Sequence, residues 1–219
     1  EMKIFSVPFN FEENHKSTIL NINTDVEDLN EIISQGFRFH SEGNLEKAIN
    51  CYKKYLSKNV NNPRVFSNYG IILKDLGRFE EARILTLKAI KLKPDYAIAY
   101  LNLGMILKEL KNVKQAEEFT RKALELDPNS FEAYYNLGTI LIDLGRLVEA
   151  EKCLYKAIKL KSDYVNAYIN LGNILRTLGL SNEALRFMLK AIKIDPSKAN
   201  AHMNLGNILQ DLGRLEEAK

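Results

Sequence analysis

The sequence predicts an all-α solenoid of stacked two-helix units, and three observations predict it. All 11 glycines fall on two phases of a single 34-residue period. Alanines recur at two further phases of that period, and prolines at another. Apolar residues within each period repeat at i, i+3, i+4 and i+7, the spacing of one helical face. A fixed period of this length is the mark of a repeat architecture, in which each unit buries its apolar face only by stacking on its neighbours.

The first glycine phase is Gly36, Gly70, Gly104, Gly138, Gly172 and Gly206. The second, seven residues on, is Gly43, Gly77, Gly145, Gly179 and Gly213, with Lys111 filling its one gap. Counting each unit from seven residues before the first glycine starts the units at Leu29, Pro63, Ala97, Phe131, Val165 and Ala199, the last unit being truncated at Lys219. The twentieth position is then Ala48, Ala82, Ala116, Ala150, Ala184 and Ala218, and the twenty-seventh is Tyr55, Ala89, Ala123, Ala157 and Ala191. The fourth position is aromatic in Phe66, Tyr100, Tyr134 and Tyr168, and carries Ile32 and His202 at the ends of the array. His202 is expected to pack there as the aromatics do.

Each element has a local reason. In the third unit Tyr100, Leu103, Gly104 and Leu107 form the apolar stripe of a first helix, and Ala116, Ala123, Leu124 and Leu126 that of a second. A glycine at the fifteenth position suits the left-handed residue that ends the first helix. Pro94, Pro128 and Pro196 at the thirty-second position mark the stop after the second helix. The small residues at the eighth, twentieth and twenty-seventh positions let helix axes approach; a larger group there would overpack the interface.

This pattern resembles the tetratricopeptide repeat, a helix–turn–helix unit of the same period. The likeness is fullest in the third to fifth units, in Tyr100, Leu103, Gly104 and Leu107 followed by Ala116, Ala123 and Pro128. It is weakest in the first, where Gln35 replaces Leu and Val60 replaces Pro, as expected of a terminal unit. The array is similar to bacterial and cyanobacterial-type arrays and to the repeat region of O-linked N-acetylglucosamine transferases. The resemblance implies a right-handed superhelical solenoid over residues 29–219, with residues 1–28 as an N-terminal extension. It also implies a concave surface lined by positions 2, 5, 6, 9, 12 and 13 of the first helices.

Read onto this chain, position 6 supplies Asn68, Asn102, Asn136, Asn170 and Asn204. Position 9 ends in Asn173 and Asn207, and position 5 supplies Leu101, Tyr135 and Ile169. The expectation is an asparagine ladder flanked by apolar residues. Each amide offers both donors and an acceptor, so it can bond a peptide N–H and C=O whatever the peptide's side chains. The competing reading is that these asparagines serve helix packing. A clamp for acidic chaperone tails is disfavoured, because it needs Lys at position 5 and Arg at position 6, and neither occurs.

Charge and composition exclude other classes. Against 31 Lys and Arg stand 28 Asp and Glu, a net charge of +3, too near balance for a strong nucleic-acid field. A basic stripe at position 26 (Lys54, Lys88, Lys122, Lys156 and Lys190) is offset by acids such as Glu80, Glu81, Glu117 and Glu118 earlier in the same helices, the arrangement that suits the helix dipole. No apolar run approaches the roughly 18 residues of a membrane span, and the first residues do not read as a secretory signal, so a cytoplasmic location is expected. Cys51 and Cys153 lie three units apart, too far for a disulfide, and His15, His40 and His202 are scattered, so no metal site is expected. No phosphate loop or nucleophile motif occurs, and no cofactor is implied.

The expected function is a non-catalytic scaffold that binds a protein or an extended peptide. The alternative is the recruiting part of a larger enzyme of glycosyltransferase or sulfotransferase type; a spacer is a third reading. Phe5, Phe9 and Phe11 suggest an extension that covers the first unit or enters a groove. At the other end, the unpaired helix is expected to expose Leu205, Leu209 and Leu212 in part. This predicts a chain that continues beyond Lys219, or a homodimer formed through the open end or the extension.

Overall fold

A computed structural model describes residues 22–214; the expectations for the extension before residue 22 and for residues 215–219 lie outside the described residues. The chain divides between Lys58 and Asn59 into two compact units. The first holds α1 (Ile22–Ser41) and α2 (Leu45–Leu56). α1 begins seven residues before Leu29, so residues 22–28 are helical. Tyr52 of α2 is fully buried and lies against Phe37, with ring centroids 5.9 Å apart.

The second unit holds nine helices among the described residues. They are α3 (Pro63–Asp75), α4 (Phe79–Leu92), α5 (Ala97–Glu109), α6 (Val113–Leu126), α7 (Phe131–Asp143), α8 (Leu147–Leu160), α9 (Val165–Thr177), α10 (Ser181–Ile194) and α11 (Ala199–Asp211). Odd-numbered helices are first helices of the 34-residue units and even-numbered ones are second helices. From α3 to α11 each helix packs on the next, so a first helix lies on its own second helix and that second helix on the first helix that follows.

The turn between first and second helices is the same each time. In the second unit the N–H of Arg78 donates to Leu73 O at 2.8 Å and that of Gly77 to Lys74 O at 2.9 Å, with Gly77 at φ +74°. This is a Schellman closure, which satisfies carbonyls that the helix end would leave unpaired. The pattern recurs at Gly145, Gly179 and Gly213, and also at Lys111, which sits at φ +62°. Helix starts are capped where the sequence allows: the Asn62 side chain accepts from Arg64 N and Val65 N ahead of Pro63, and Ser130 accepts from Ala133 N.

The core runs between the helix layers. Ala82, Ala89, Ala116, Ala123, Ala150, Ala157, Ala184 and Ala191 are all buried, as the recurring phases predict. The eighth-position glycines meet the twenty-fourth position of their own unit. A Cβ on Gly104 would collide with Thr120 Oγ1, and one on Gly70 with Thr86 Oγ1; one on Gly172 would lie 2.9 Å from the Met188 methyl. Thr86 and Thr120 are fully buried and spend their hydroxyls on Ala82 O and Ala116 O, at 2.8 and 2.7 Å.

Two sequence expectations change. His202 is exposed, not packed, and its Nε2 lies 2.9 Å from Pro196 O. It thereby joins position 4 to position 32 of the preceding unit, as Tyr168 does in donating to Ser162 O at 2.9 Å. Leu209 is buried, and only Leu205 and Leu212 are partly exposed, because α11 packs on both α9 and α10.

Candidate functional site

The first helices form one layer. α3 packs on α5, α5 on α7 and α9 on α11, and no pair of second helices packs to that extent, so the stack of α3–α11 closes up on its first-helix side. At 3.6 residues per turn, positions 2, 6, 9 and 13 lie about 100–160° around the helix from the position-8 glycine that faces the second helix. They therefore face away from the second-helix layer. Positions 5 and 12 sit beside them, at the seams between successive first helices.

The candidate ladder residues occupy this face but are not equivalent. Asn102 is buried, at 6% exposure, and its Nδ2 donates to Ser67 Oγ of the preceding unit at 2.8 Å. Asn170 is half-buried and donates to Tyr135 Oη of the preceding unit at 3.4 Å. Asn68, Asn136 and Asn204 are half-buried, and among the described residues the side-chain amides of Asn136 and Asn204 make no hydrogen bond within the chain. The difference follows from position 5 one unit earlier. Ser67 and Tyr135 offer Asn102 and Asn170 an oxygen; Leu101 and Ile169 offer Asn136 and Asn204 none. Asn102 and Asn170 are thus tied to the preceding unit by a side-chain hydrogen bond, and Asn136 and Asn204 are not.

Asn173 and Asn207 are half-buried on the same face, with side-chain amides that likewise make no internal bond. Of the apolar candidates, Leu101 and Tyr135 are half-buried while Ile169 is buried, at 3% exposure. Tyr135 packs edge-to-face on Tyr164, centroids 4.9 Å apart. Burial raises the Tyr135 hydroxyl pKa above its usual value, and the Asn170 bond works against that rise.

Two further groups lie on this side of the first helices. Asn166 and Asn200, both exposed at position 2, complete amide triplets at i, i+4 and i+7 with Asn170 and Asn173 and with Asn204 and Asn207. Reading position 2 along the repeats would have found them. Position 12 is the second. Lys108 pairs with Asp143 of the next unit at 3.4 Å, Arg176 pairs with Asp211 of the next unit, and Lys74 pairs with Asp75 at 2.9 Å. The Arg176 guanidinium holds the Asp211 carboxyl below the usual carboxylate range.

The opposite face is occupied by its own contacts. Lys88 sits 4.5 Å from the Phe66 ring centroid and Lys156 5.9 Å from that of Tyr134, so two members of the basic stripe lie over position-4 rings of their own units. Lys122 pairs with Glu125 at 2.7 Å. Arg121 and Arg146 share Glu117 and Glu149 in a network that ties α6 to α8. Cys153 is half-buried beside this network, and burial pushes its thiol pKa up. Among the described residues there is no cluster of His, Cys, Asp and Glu fit to hold a metal ion, and no helix long and apolar enough to cross a membrane.

Family models described as tetratricopeptide repeat match residues 63–96, 97–130, 129–197 and 187–219. No curated protein sequence matches the chain. Among solved structures, MamA protein is similar at 26% identity, covering 80% of this chain and 95% of that one with a TM-score of 0.63. YrrB, described as a TPR protein with an unusual peptide-binding site, is also 26% identical, covering 76% of this chain and 86% of that one with a TM-score of 0.61. TTC0263 of Thermus thermophilus shares the fold at 19% identity, covering 83% of this chain and 99% of that one with a TM-score of 0.70. With family matches running unbroken from residue 63 to residue 219 and the two-helix unit repeating in the structure, the chain belongs to the tetratricopeptide repeat family.

Proposed function

We propose that the chain is a non-catalytic scaffold that binds an extended polypeptide along the first-helix face of α3–α11. The observation that carries this reading is the face itself. It is lined from Asn68 to Asn207 by side-chain amides, several of them without an internal partner, with half-buried apolar residues beside them. An extended segment presents an N–H and a C=O at every residue, and an amide side chain matches both. YrrB, whose description names a peptide-binding site, supports the reading at 26% identity.

The test is selection of a phage-displayed random 16-residue library on the immobilised chain, followed by the same selection on Asn136→Arg. Asn136 sits in the middle of the first-helix layer, and its amide makes no bond whose loss would unsettle the fold. Peptides enriched on the parent and lost on the variant are expected. Peptides that bind both equally would move the site off this face.

A further inference from the structure

The ion pairs of the second-helix side give out at α8 and α10. On α4 and α6, Arg83, Arg121 and Lys122 pair with Glu80, Glu117 and Glu125. α8 carries Lys152, Lys156 and Lys159, and α10 carries Arg186, Lys190 and Lys193. All six are exposed, and among the described residues none of them makes an ion pair. The sequence gives a reason. Glu149 is drawn to Arg146 and Arg121, and the remaining acids of these helices are Glu151 and Glu183. Four residues after each stands an aromatic ring, Tyr155 or Phe187, where a lysine would complete an i,i+4 pair. Residues 152–160 and 186–194 then hold the six cations and no carboxylate.

The same rings make a cleft between the two helices. Tyr155 meets Phe187 edge to face, with centroids 5.5 Å apart, and Phe187 lies 6.2 Å from the ring of Tyr168 on α9. Glu183, Arg186 and Lys190 complete the walls of this open cleft of about 420 Å³. Tyr155 is 39% exposed, and Leu189, at the same position of the next unit, is 50% exposed. The Tyr168 hydroxyl is already bonded to Ser162 O, so Tyr168 contributes only apolar surface. Apolar surface and unpaired positive charge thus adjoin on α8–α10.

We propose that this cleft docks an acidic polypeptide segment. One bulky apolar side chain of the segment enters against Tyr155 and Phe187, and its carboxylates pair with Arg186, Lys190 and the lysines of α8. Glu183 stands one turn before Arg186, so the segment's acids lie toward the C-terminal halves of α8 and α10, where every charge is positive. A nucleic acid fits less well. Tyr155 and Phe187 cross at 80°, which covers a ring face that base stacking would use, and Glu151 and Glu183 oppose phosphates. The same two acids oppose an anionic membrane surface. The proposal concerns the second-helix side and does not rest on the groove reading above.

The test selects the phage-displayed 16-residue library on the Asn136→Arg chain, so that the first-helix face is altered throughout. Counter-selection uses the same chain carrying Arg186→Glu and Lys190→Glu, both at exposed residues, with the fold checked by circular dichroism. The peptides expected to enrich combine Asp or Glu with Phe, Tyr, Trp or Leu. Fluorescein-labelled synthetic copies are then titrated by fluorescence anisotropy. The two charge reversals together are expected to raise Kd at least about tenfold, and so is replacing the peptide's bulky apolar residue by Gly. Raising salt from about 50 to about 500 mM is expected to weaken binding by about fivefold or more. If no enriched peptide is lost on the double variant, or if those lost lack acids or a bulky apolar residue, the proposal is overturned. Oligothymidine or phosphatidylserine vesicles that bind more tightly than every selected peptide, and are released by the double variant, would also overturn it and assign the cations to that class of partner.

Discussion

Substituting Gly104 with Ala probes the glycine whose added Cβ would meet its neighbouring helix most closely. Within a helix the change should help, because glycine costs about 0.5–1 kcal/mol relative to alanine. The structure opposes it. The new Cβ would collide with Thr120 Oγ1 and lie 3.2 Å from Ala116 O, a backbone atom. Thr120 cannot simply swing away. It is fully buried, its β-branched side chain is stiff, and its hydroxyl is bonded to Ala116 O at 2.7 Å. Relief requires either giving up that bond, worth about 0.5–1.5 kcal/mol, or separating α5 from α6, with an overpacking cost of about 1–3 kcal/mol. The net expectation is a destabilisation of about 1–2 kcal/mol confined to α5 and α6, because stability in a repeat array is a sum of unit and neighbour terms. Native-state hydrogen exchange of the α5 and α6 amides reads that local free energy. Thr120→Ala removes the obstructing oxygen, so the double variant should cost about 1 kcal/mol less than the two single changes combined. Gly138→Ala, which meets the Leu154 side chain at 3.0 Å, should be milder. A Gly104→Ala chain as stable as the parent, or single effects that simply add, would refute the steric account.

Other consequences follow from the same geometry. Lys111→Gly should stabilise the chain by about 1 kcal/mol, since Lys111 holds a left-handed conformation (φ +62°) that the other units assign to glycine; thermal melts read it. Asn102→Ala should cost about 1–3 kcal/mol in chemical denaturation, because it strands the buried Ser67 hydroxyl, whereas Asn136→Ala should stay within about 0.5 kcal/mol. Asp211→Asn tests the rim pair. The Asp211 carboxyl is held below its unfolded value by Arg176, so its contribution is present at neutral pH and lost as pH falls through the folded value. The gap in melting temperature between parent and Asp211→Asn should therefore close below about pH 4.

Much of the fold was legible in the primary structure because it rests on residues that few others can replace. A left-handed helix end nearly demands glycine, and a close axis crossing demands glycine or alanine. The turns between first and second helices, the buried alanines and the helix bounds therefore showed through as phases of one period. His202 was misplaced by the same logic. Its position is a core position in the interior units, but α11 leaves it exposed, and it is held by Pro196 O.

The sequence alone determined which residues share a side of a helix, since helical geometry converts spacing into direction; which side lines the groove came from the family resemblance. Neither determined what each amide on that face does. Asn102 and Asn136 hold the same position in successive units, yet one is buried in a bond to Ser67 and the other keeps its amide free. The reason is tertiary: a side chain's hydrogen bonds depend on the residue that the adjacent helix brings within about 3 Å, and that residue is 35 positions away in the chain. Stacking likewise paired Lys108 with Asp143 and Arg176 with Asp211, charges that belong to different repeat units.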